Sequence, residues 1–139
     1  MHPTIPTIPT IPTEYQDLIT QPIVAGLATT MADGTPQVTP VWFSYSEGLF
    51  YVNAATGRLK DKNIRRAPYV ALLIVDPTNA YRYVAVRGPV IDISDEVVGR
   101  NHINELSFRY FGRPVYRSDD PDEVRARYTV RPDHISSMG

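Results

Sequence analysis

The alternation of apolar and polar residues predicts a chain built mostly from short strands. Ile23 to Thr30 reads as a strand, and an Asp33-Gly34 turn connects it to a second strand, Gln37 to Tyr45, whose two faces alternate with period two. These two segments form a predicted hairpin. A third strand covers Leu49 to Asn53. Tyr69 to Val75 is almost continuously apolar, which predicts a strand covered on both faces.

The second half of the chain adds a long strand and a long helix. Tyr81 to Ile93 is predicted as a strand with a bulge or bend at Gly88-Pro89, because proline cannot donate to a sheet ladder. Ser94 opens a helix that stops at Gly112. The buried face of this helix is Ile103, Leu106 and Tyr110. After the helix we predict a helical turn from Ser118 to Pro121 and two short strands, Ala126 to Val130 and His134 to Ser137. Many short strands and one late helix indicate a mainly β antiparallel barrel with helices against its ends.

A Pro-Thr-Ile repeat of period three occupies Met1 to Thr13. Proline at every third position excludes regular helix or central strand and favours polyproline II, which cannot build a core by itself. We therefore divide the chain into a flexible tail, residues 1–13, and one domain, residues 14–139, that starts with a short helix from Glu14 to Ile19. The repeat is interpreted either as a disordered tail or as an arm that lies across a partner subunit.

Length and composition are those of one soluble domain. The 139 residues are 42% hydrophobic, which is enough for one core without disulfides or metal. The absence of cysteine excludes a disulfide framework and a thiolate metal site. The chain shows neither a membrane-spanning run nor a signal peptide, so we expect a cytoplasmic protein without a membrane partner. A formal net charge of -1 argues against a nucleic-acid-binding surface.

Positive charge is concentrated in one segment, Asn53 to Pro68, where five basic residues face a single acid. Thr56 is predicted as the N-cap of a helix over Arg58 to Arg66. The start of that helix offers free N–H groups and a positive dipole end, and Arg58 and Lys60 flank it, which suits a phosphate or a carboxylate. The alternative interpretation is a solvated helix whose basic residues keep the surface soluble.

Common catalytic motifs are missing from the chain. Without a Gly-x-Gly-x-x-Gly or Walker sequence, a Rossmann nicotinamide site and P-loop hydrolysis are disfavoured. The histidines, His2, His102 and His134, lack metal-ligand spacing, so no metal site is predicted. No serine lies in a nucleophile elbow, which leaves a hydrolase without a nucleophile.

Three stretches together resemble one family, the pyridoxamine 5'-phosphate oxidase-like split barrels, and within it the proteins that use the deazaflavin coenzyme F-420. The first stretch is Leu27-Ala28-Thr29-Thr30 with Asp33 to Trp42, and the second is Asn53 to Pro68. The third is Asp76 to Tyr83 with Val86-Arg87-Gly88. Over about residues 14–137, this resemblance implies a six-stranded antiparallel split β-barrel of the FMN-binding type, with Greek-key connections. It also implies a homodimer with two cofactor sites at the subunit interface.

The resemblance assigns roles to individual residues. It implies that Arg58 and Lys60 hold the cofactor phosphate and that Asn53 lies near the ribityl chain. The residues implied to run beside the tricyclic ring are Gln37, Val38, Thr39, Pro40 and Val41, with Trp42 at the end of the strand. Tyr81 and Tyr83 are implied to reach the site from the other subunit, and they are the candidate catalytic residues.

The function implied by the resemblance is transfer of a hydride from reduced coenzyme F-420 to an unsaturated organic substrate of the tetrapyrrole, quinone or enone class. Two alternatives stay open: an FMN-binding oxidase or electron carrier with the same fold, and a non-enzymatic protein that binds a cofactor or a tetrapyrrole. Core packing remains the alternative role for Trp42, Tyr81 and Tyr83. Lys62, Arg65 and Arg66 are candidates to bind the acidic tail of the deazaflavin. The alternative is that they form a solvated face.

Overall fold

The computed structural model describes residues 9–139, so most of the Pro-Thr-Ile repeat lies outside the described residues. A 3-10 turn, Thr13–Tyr15, and helix α1, Gln16–Thr20, open the domain where one short helix is predicted. Ile11 is 4% exposed and belongs to the core cluster. An isoleucine of the predicted tail, Ile11, thus packs on the barrel, and the division of the chain at residue 14 stays a prediction.

Eight strands and two further helices make up the rest of the described chain. They are β1 (Ala25–Thr30), β2 (Pro36–Val41), β3 (Phe43–Ser46), β4 (Leu49–Ala55), α2 (Leu59–Arg66), β5 (Tyr69–Asp76), β6 (Asn79–Ile93), α3 (Glu96–Phe111), β7 (Arg125–Val130) and β8 (His134–Met138). The predicted mainly β fold is confirmed. The number of strands differs from the expected six because the second predicted strand is interrupted at Trp42 and because β8 pairs with β6 beside the main strand path. The helical turn predicted at Ser118 is not helical.

The strands form an antiparallel sheet in the order β2-β1-β5-β6-β7-β4-β3. Strand β6 is long enough to pair with β5 along its first part and with β7 near its end. The predicted bulge at Gly88-Pro89 instead falls between Val90 and Asp92, where the register shifts. Gly88 instead allows the backbone at Arg131 to approach closely, because a Cβ atom at position 88 would lie 1.8 Å from the Arg131 carbonyl oxygen.

Helix α3 begins and ends as its sequence predicts. The Asp95 carboxylate accepts the N–H of Val98 at 3.0 Å, and Gly112 closes the helix in the left-handed conformation. Gly99 lets the helix approach β7 closely, since a Cβ at that position would lie 2.1 Å from the Arg125 carbonyl oxygen. This contact brings α3 against the strand that carries Arg125.

One side of the sheet is left uncovered by the chain itself. In β5, Val70, Leu72 and Ile74 are buried, whereas Tyr69 and Leu73 on the other side are 43% and 44% exposed. The prediction that this strand is covered on both faces is wrong for the single chain. The cross-strand register joins the exposed side of β5 to those of β2, β1, β6 and β8, and we call this surface the outer sheet face. Its apolar residues are Val38, Pro40, Gly26, Ala28, Ala71, Leu73, Tyr83, Ala85 and Met138, and its polar residues toward β8 are Arg87, His134 and Ser136.

Candidate active site

A cleft of about 290 Å³ lies where the β2–β3 junction, β4, α2, α3 and β7 meet. We call it the cation cleft, and its lining residues are Val24, Pro40, Val41, Trp42, Asn53, Arg58, Lys60, Ile103, Leu106, Tyr116 and Arg125. Five of the predicted cofactor-binding residues therefore meet in one place, although they come from three separate elements. These five are Pro40, Val41, Asn53, Arg58 and Lys60.

Trp42 forms an aromatic wall of the cleft at the break between β2 and β3. Its ring stacks on Tyr110 at a centroid distance of 5.2 Å and makes edge contacts with Phe111 and Tyr116. The Tyr110 hydroxyl holds the break in place, because it accepts the Phe43 N–H at 3.1 Å and donates to the Ile23 carbonyl at 2.7 Å. Trp42 is half-buried. It therefore both packs against α3 and lines the cleft.

The basic loop before α2 is held by a buried carboxylate. Asp61 is 3% exposed and accepts hydrogen bonds from the Gly57 N–H at 2.9 Å, from Arg65 Nε at 2.8 Å and from the Tyr128 hydroxyl. Burial tends to raise the pKa of Asp61, but these hydrogen bonds outweigh it and hold the pKa below its usual value. Asp61 is therefore ionised at neutral pH and fixes the loop in front of Arg58.

The predicted N-cap of this helix is wrong. Helix α2 starts at Leu59 with Arg58 in the cap position, and no side chain caps it. Thr56 lies too early in the loop, because Gly57 takes a positive φ of 86° and turns the chain before the helix begins. The Asp61 carboxylate reaches back to the Gly57 N–H instead and ties the first helical turn to the loop.

Three cations line the cleft and one acid balances them. The Arg58 guanidinium lies 4.0 Å from the Glu123 carboxylate, and its side chain is 63% exposed. Arg125 is buried and binds Glu123 at 2.6 Å. The pKa of Lys60 is lowered by burial and then by the nearby charges of Arg58 and Arg125. Burial is the larger of these causes, and an anion bound beside Lys60 would favour its charged form.

Asn53 positions Arg125 and offers no free hydrogen-bonding group of its own. Its Oδ1 accepts from Arg125 Nε at 2.9 Å, and its Nδ2 donates to the Gly99 carbonyl and to His102 Nδ1 at 2.9 and 3.0 Å. The Arg125 guanidinium also lies 5.1 Å from the centre of the Tyr116 ring. The expected place of Asn53 near the ribityl chain stays a prediction, and its observed partners are protein groups.

His102 is a buried, neutral link behind Asn53. An amide NH₂ can only donate, so His102 Nδ1 accepts from Asn53 and the proton of the ring lies on Nε2, which donates to Ser44 Oγ at 2.9 Å. Burial lowers the pKa of His102 to about 3, and the charges of Arg127 and Arg125 act in the same direction. The imidazole is therefore uncharged at neutral pH and supports the Asn53–Arg125 contact.

The other predicted site residues lie outside the cation cleft of the single chain. Gln37 points toward α2, where its Oε1 accepts from Thr29 Oγ1 at 3.3 Å and from Asn63 Nδ2 at 3.4 Å. Val38 and Thr39 line a shallow depression next to the cleft. Tyr81, which is 78% exposed, and Tyr83 lie on β6 and do not line the cation cleft.

Sequence reasoning missed several lining residues. Arg125 is one of many arginines in the last third of the chain, and no motif distinguishes it from them. Tyr116 lies in a loop without a predicted role. Ile103 and Leu106 were predicted as a buried helix face, and this face is the one that α3 turns toward the cleft.

The cleft of this antiparallel barrel is thus lined by three cations together with aromatic and aliphatic side chains. The family profile described as pyridoxamine 5'-phosphate oxidase matches residues 11–138. The chain therefore belongs to the pyridoxamine 5'-phosphate oxidase family, and the predicted resemblance is confirmed.

Solved structures agree with this assignment. The chain is 35% identical to an F-420 reductase, with 91% of this chain and 98% of that chain covered and a TM-score of 0.78. A putative pyridoxamine 5'-phosphate oxidase from Listeria innocua (19% identity, 89% and 94% covered, TM-score 0.66) has the same fold. So does a conserved hypothetical protein from Mycobacterium tuberculosis (22% identity, 94% and 86% covered, TM-score 0.71). A search of curated proteins found no match. The fold and the F-420 reductase together support an oxidoreductase of the flavin or deazaflavin type.

Two further searches of the described residues, 9–139, were negative. They contain no group of three or more histidine and acidic side chains arranged to hold a metal ion. Within the same residues, no helix has the length and apolar character needed to cross a membrane.

Proposed function

We propose that the protein is a coenzyme F-420-dependent reductase that passes a hydride to an unsaturated organic substrate of the tetrapyrrole, quinone or enone class. The observation that carries this proposal is the lining of the cation cleft, which combines the cations Arg58, Lys60 and Arg125 with the apolar side chains of Trp42 and Pro40. A cofactor with a phosphate at one end and a planar ring at the other matches this arrangement. The 35% identity to an F-420 reductase supports the deazaflavin over FMN.

The side chains of the cleft have distinct parts in this proposal. Arg58 is exposed and only loosely paired with Glu123, so it is free to turn toward a phosphate, and Lys60 adds a second charge beside it. Arg125 is already fixed by Asn53 and Glu123 and is a preorganised third donor. Pro40, Val41 and Trp42 offer an apolar wall for a ring. The reduced cofactor, when bound, supplies the hydride.

The substrate gains a proton as well as the hydride. We propose Tyr81 or Tyr83 of a second subunit as the proton donor, with solvent as the alternative. The protein otherwise contributes orientation and exclusion of water from the ring.

We also propose that a second copy of the chain covers the outer sheet face and completes the site. The part of this face on β2, β1 and β5 is apolar, rich in small residues and exposed in the single chain, and such a surface marks an interface. Pro40 belongs both to this face and to the cation cleft, so a partner seated there would border the cleft. Tyr83 lies on the same face. A residue that reaches into the site of a second copy has to lie on the surface that this copy covers.

Leu73→Asp tests this arrangement because it places a charge in the middle of the outer sheet face. We expect sedimentation velocity to show a dimer for the unchanged chain and a monomer for the variant, and cofactor affinity to fall with the dimer. Glu105→Gln, an exposed position on α3, is the control. A wild-type chain that sediments as a monomer would overturn the proposed dimer.

Paired fluorescence titrations with oxidised coenzyme F-420 and with FMN test the cofactor assignment. We expect preference for F-420, and we expect Arg58→Ala/Lys60→Ala to weaken binding by about tenfold or more, since charge-assisted contacts to the phosphate are lost. Arg131→Ala, an exposed arginine between β7 and β8, is the charge control. Unchanged affinity in the double variant would contradict the assigned phosphate site, and turnover with reduced F-420 separates a reductase from a storage protein.

A further inference from the structure

A second groove, of about 530 Å³, adjoins the cation cleft. We call it the arginine groove. Trp42 and Tyr116 line both cavities, so these two rings form the partition between them. The groove is also lined by Phe111, Arg113 and Arg117. Apart from Trp42 and Tyr116, the residues of the groove do not line the cation cleft.

The arginines of this groove carry charge that the protein does not neutralise. Among residues 9–139, no carboxylate lies within 4.0 Å of Arg113 or Arg117, whereas Arg82 and Arg125 each bind an acid directly. The Arg113 guanidinium lies 5.8 Å from the centre of the Phe111 ring. Phe111 itself is 64% exposed, which is unusual for an aromatic side chain at the end of a helix. Unpaired guanidinium groups beside open aromatic rings favour a ligand that is both flat and anionic.

The wall of the groove is anchored to the rest of the domain. Gly112 ends α3 in the left-handed conformation, and the Arg113 N–H returns to the Ser107 carbonyl at 3.4 Å. Four residues after Gly112, the Tyr116 N–H donates to Asn104 Oδ1 at 2.9 Å. These contacts tie the segment that carries Arg113 and Tyr116 to α3, so the groove has a defined wall in the unliganded chain.

We propose that the arginine groove binds the substrate and that the substrate is a planar conjugated acid. Its ring lies against Trp42 and Tyr116, and its carboxylate lies on Arg113 and Arg117. This inference rests on the proposed function, because the shared wall puts the groove next to the place where the cofactor ring is expected. The inference restricts the proposed substrates to tetrapyrroles, quinones and enones that carry a carboxylate.

Trp42 provides the signal for a direct test, because it is the only tryptophan in the chain. Anthraquinone-2-carboxylate and anthraquinone-2-carboxamide are matched flat quinones that differ in charge, and both absorb where tryptophan emits. We expect the carboxylate to quench Trp42 fluorescence with an affinity on the order of tenfold higher than the amide, as two exposed charge-assisted contacts allow. Equal affinities in the wild-type chain would overturn the proposal.

Variants locate the source of this preference. We expect Arg113→Gln/Arg117→Gln to bind both quinones equally, and both side chains are exposed, so the fold should be unaffected. Lys62→Gln/Arg131→Gln removes the same charge elsewhere on the surface and should keep the preference. Arg58→Gln/Lys60→Gln alters the cation cleft and should keep it too. A preference that survives in the groove variant, or that is lost in the cation-cleft variant, would place the carboxylate elsewhere and overturn the proposal.

The same titration in the presence of saturating F-420 or FMN separates this proposal from the cofactor assignment. We expect the carboxylate to bind together with the cofactor. If the cofactor displaces it and Arg113→Gln/Arg117→Gln weakens F-420 binding, the groove holds the acidic tail of the cofactor, and the substrate assignment is wrong. If neither cofactor binds and the preference for the carboxylate persists, the acid-binding groove stands and only the cofactor assignment fails.

Discussion

Two clusters of arginine and carboxylate side chains in this protein have opposite charge balance. In the first, which we call the Arg82 clamp, Arg82 donates to Asp17 at 2.6 and 2.9 Å, to Asp76 at 2.9 Å and to the Glu14 carbonyl at 2.6 Å. In this clamp, one cation forms ion pairs with two carboxylates. In the cation cleft, Arg58, Lys60 and Arg125 share the single acid Glu123. The clamp therefore ties the N-terminal helix to the barrel, and the cleft is left with charge for a ligand.

The pKa values of the two clusters follow the same division. Hydrogen bonds from Arg82 lower the pKa of Asp17, and hydrogen bonds from Thr78 and then Arg82 lower that of Asp76. Every charge in the clamp is thus stabilised by the folded chain. In the cleft, burial and two neighbouring arginines lower the pKa of Lys60, which means that its charge is disfavoured. The two clusters therefore differ at Lys60, a cation of the cleft without an acid within 4.0 Å among the described residues, whereas Arg82 contacts two acids.

The largest effect we expect comes from Arg125→Ala. The Glu123 carboxylate would stay buried without its partner, and removal of one member of a buried ion pair costs about 3–5 kcal/mol. Urea denaturation followed by circular dichroism measures the free energy of unfolding. The companion variant Arg125→Met/Glu123→Met should recover most of the loss. A single variant as stable as the wild type would show that this pair does not hold the cleft together.

His102 should make the cleft side of the protein sensitive to mild acid. The folded-state pKa of about 3 lies below the unfolded value of 6.5, so the stabilising contribution is complete above pH 6.5 and is lost as the pH falls toward 3. Between pH 7 and pH 5 this amounts to about 2 kcal/mol. His102→Gln should have a flatter stability profile over that interval. Equal slopes for the two proteins would contradict the buried, neutral imidazole.

Replacement of one arginine in each cluster by alanine sharpens the comparison. Arg58→Ala should weaken cofactor binding by about tenfold and leave the melting temperature unchanged, since its contact with Glu123 is long and exposed. Arg82→Ala should lower the melting temperature and leave cofactor affinity unchanged. Thermal melts and titrations on the same two preparations measure both properties. If each variant changed both properties, the division between structural and ligand-binding arginines would be wrong.

The smallest effects concern the two helix starts. Asp95→Ala should cost about 1 kcal/mol, because the carboxylate caps the Val98 N–H. Thr56→Ala should cost nothing measurable, since Thr56 does not cap α2. Chemical denaturation of both variants provides the comparison. A loss for Thr56→Ala as large as that for Asp95→Ala would restore the capping role that the sequence predicted.

Much of the fold could be predicted from residues close together in the chain. The strand around Tyr69 to Val75, the long strand to Ile93 and the helix from Asp95 to Gly112 follow from apolar period, turn residues and capping chemistry, all of which act over a few positions. Arg58 and Lys60 could be recognised because they lie in one dense basic segment. The break at Trp42 could not, since the alternating pattern continues through it and the cause is a hydroxyl 68 residues away, at Tyr110.

By itself, the amino-acid sequence determined the order of the elements, the family and two basic residues of the cleft, because these depend on local periodicity and on short motifs. Only the tertiary structure decided which arginine joins Arg58 and Lys60, and that Asn53 holds it in place. It also showed that the apolar strand Tyr69–Asp76 is open on one side. Contacts such as Asn53 with Arg125 join strands whose positions depend on the closure of the whole sheet. The energies of such contacts depend on how deeply the side chains are buried, and local sequence does not determine that depth.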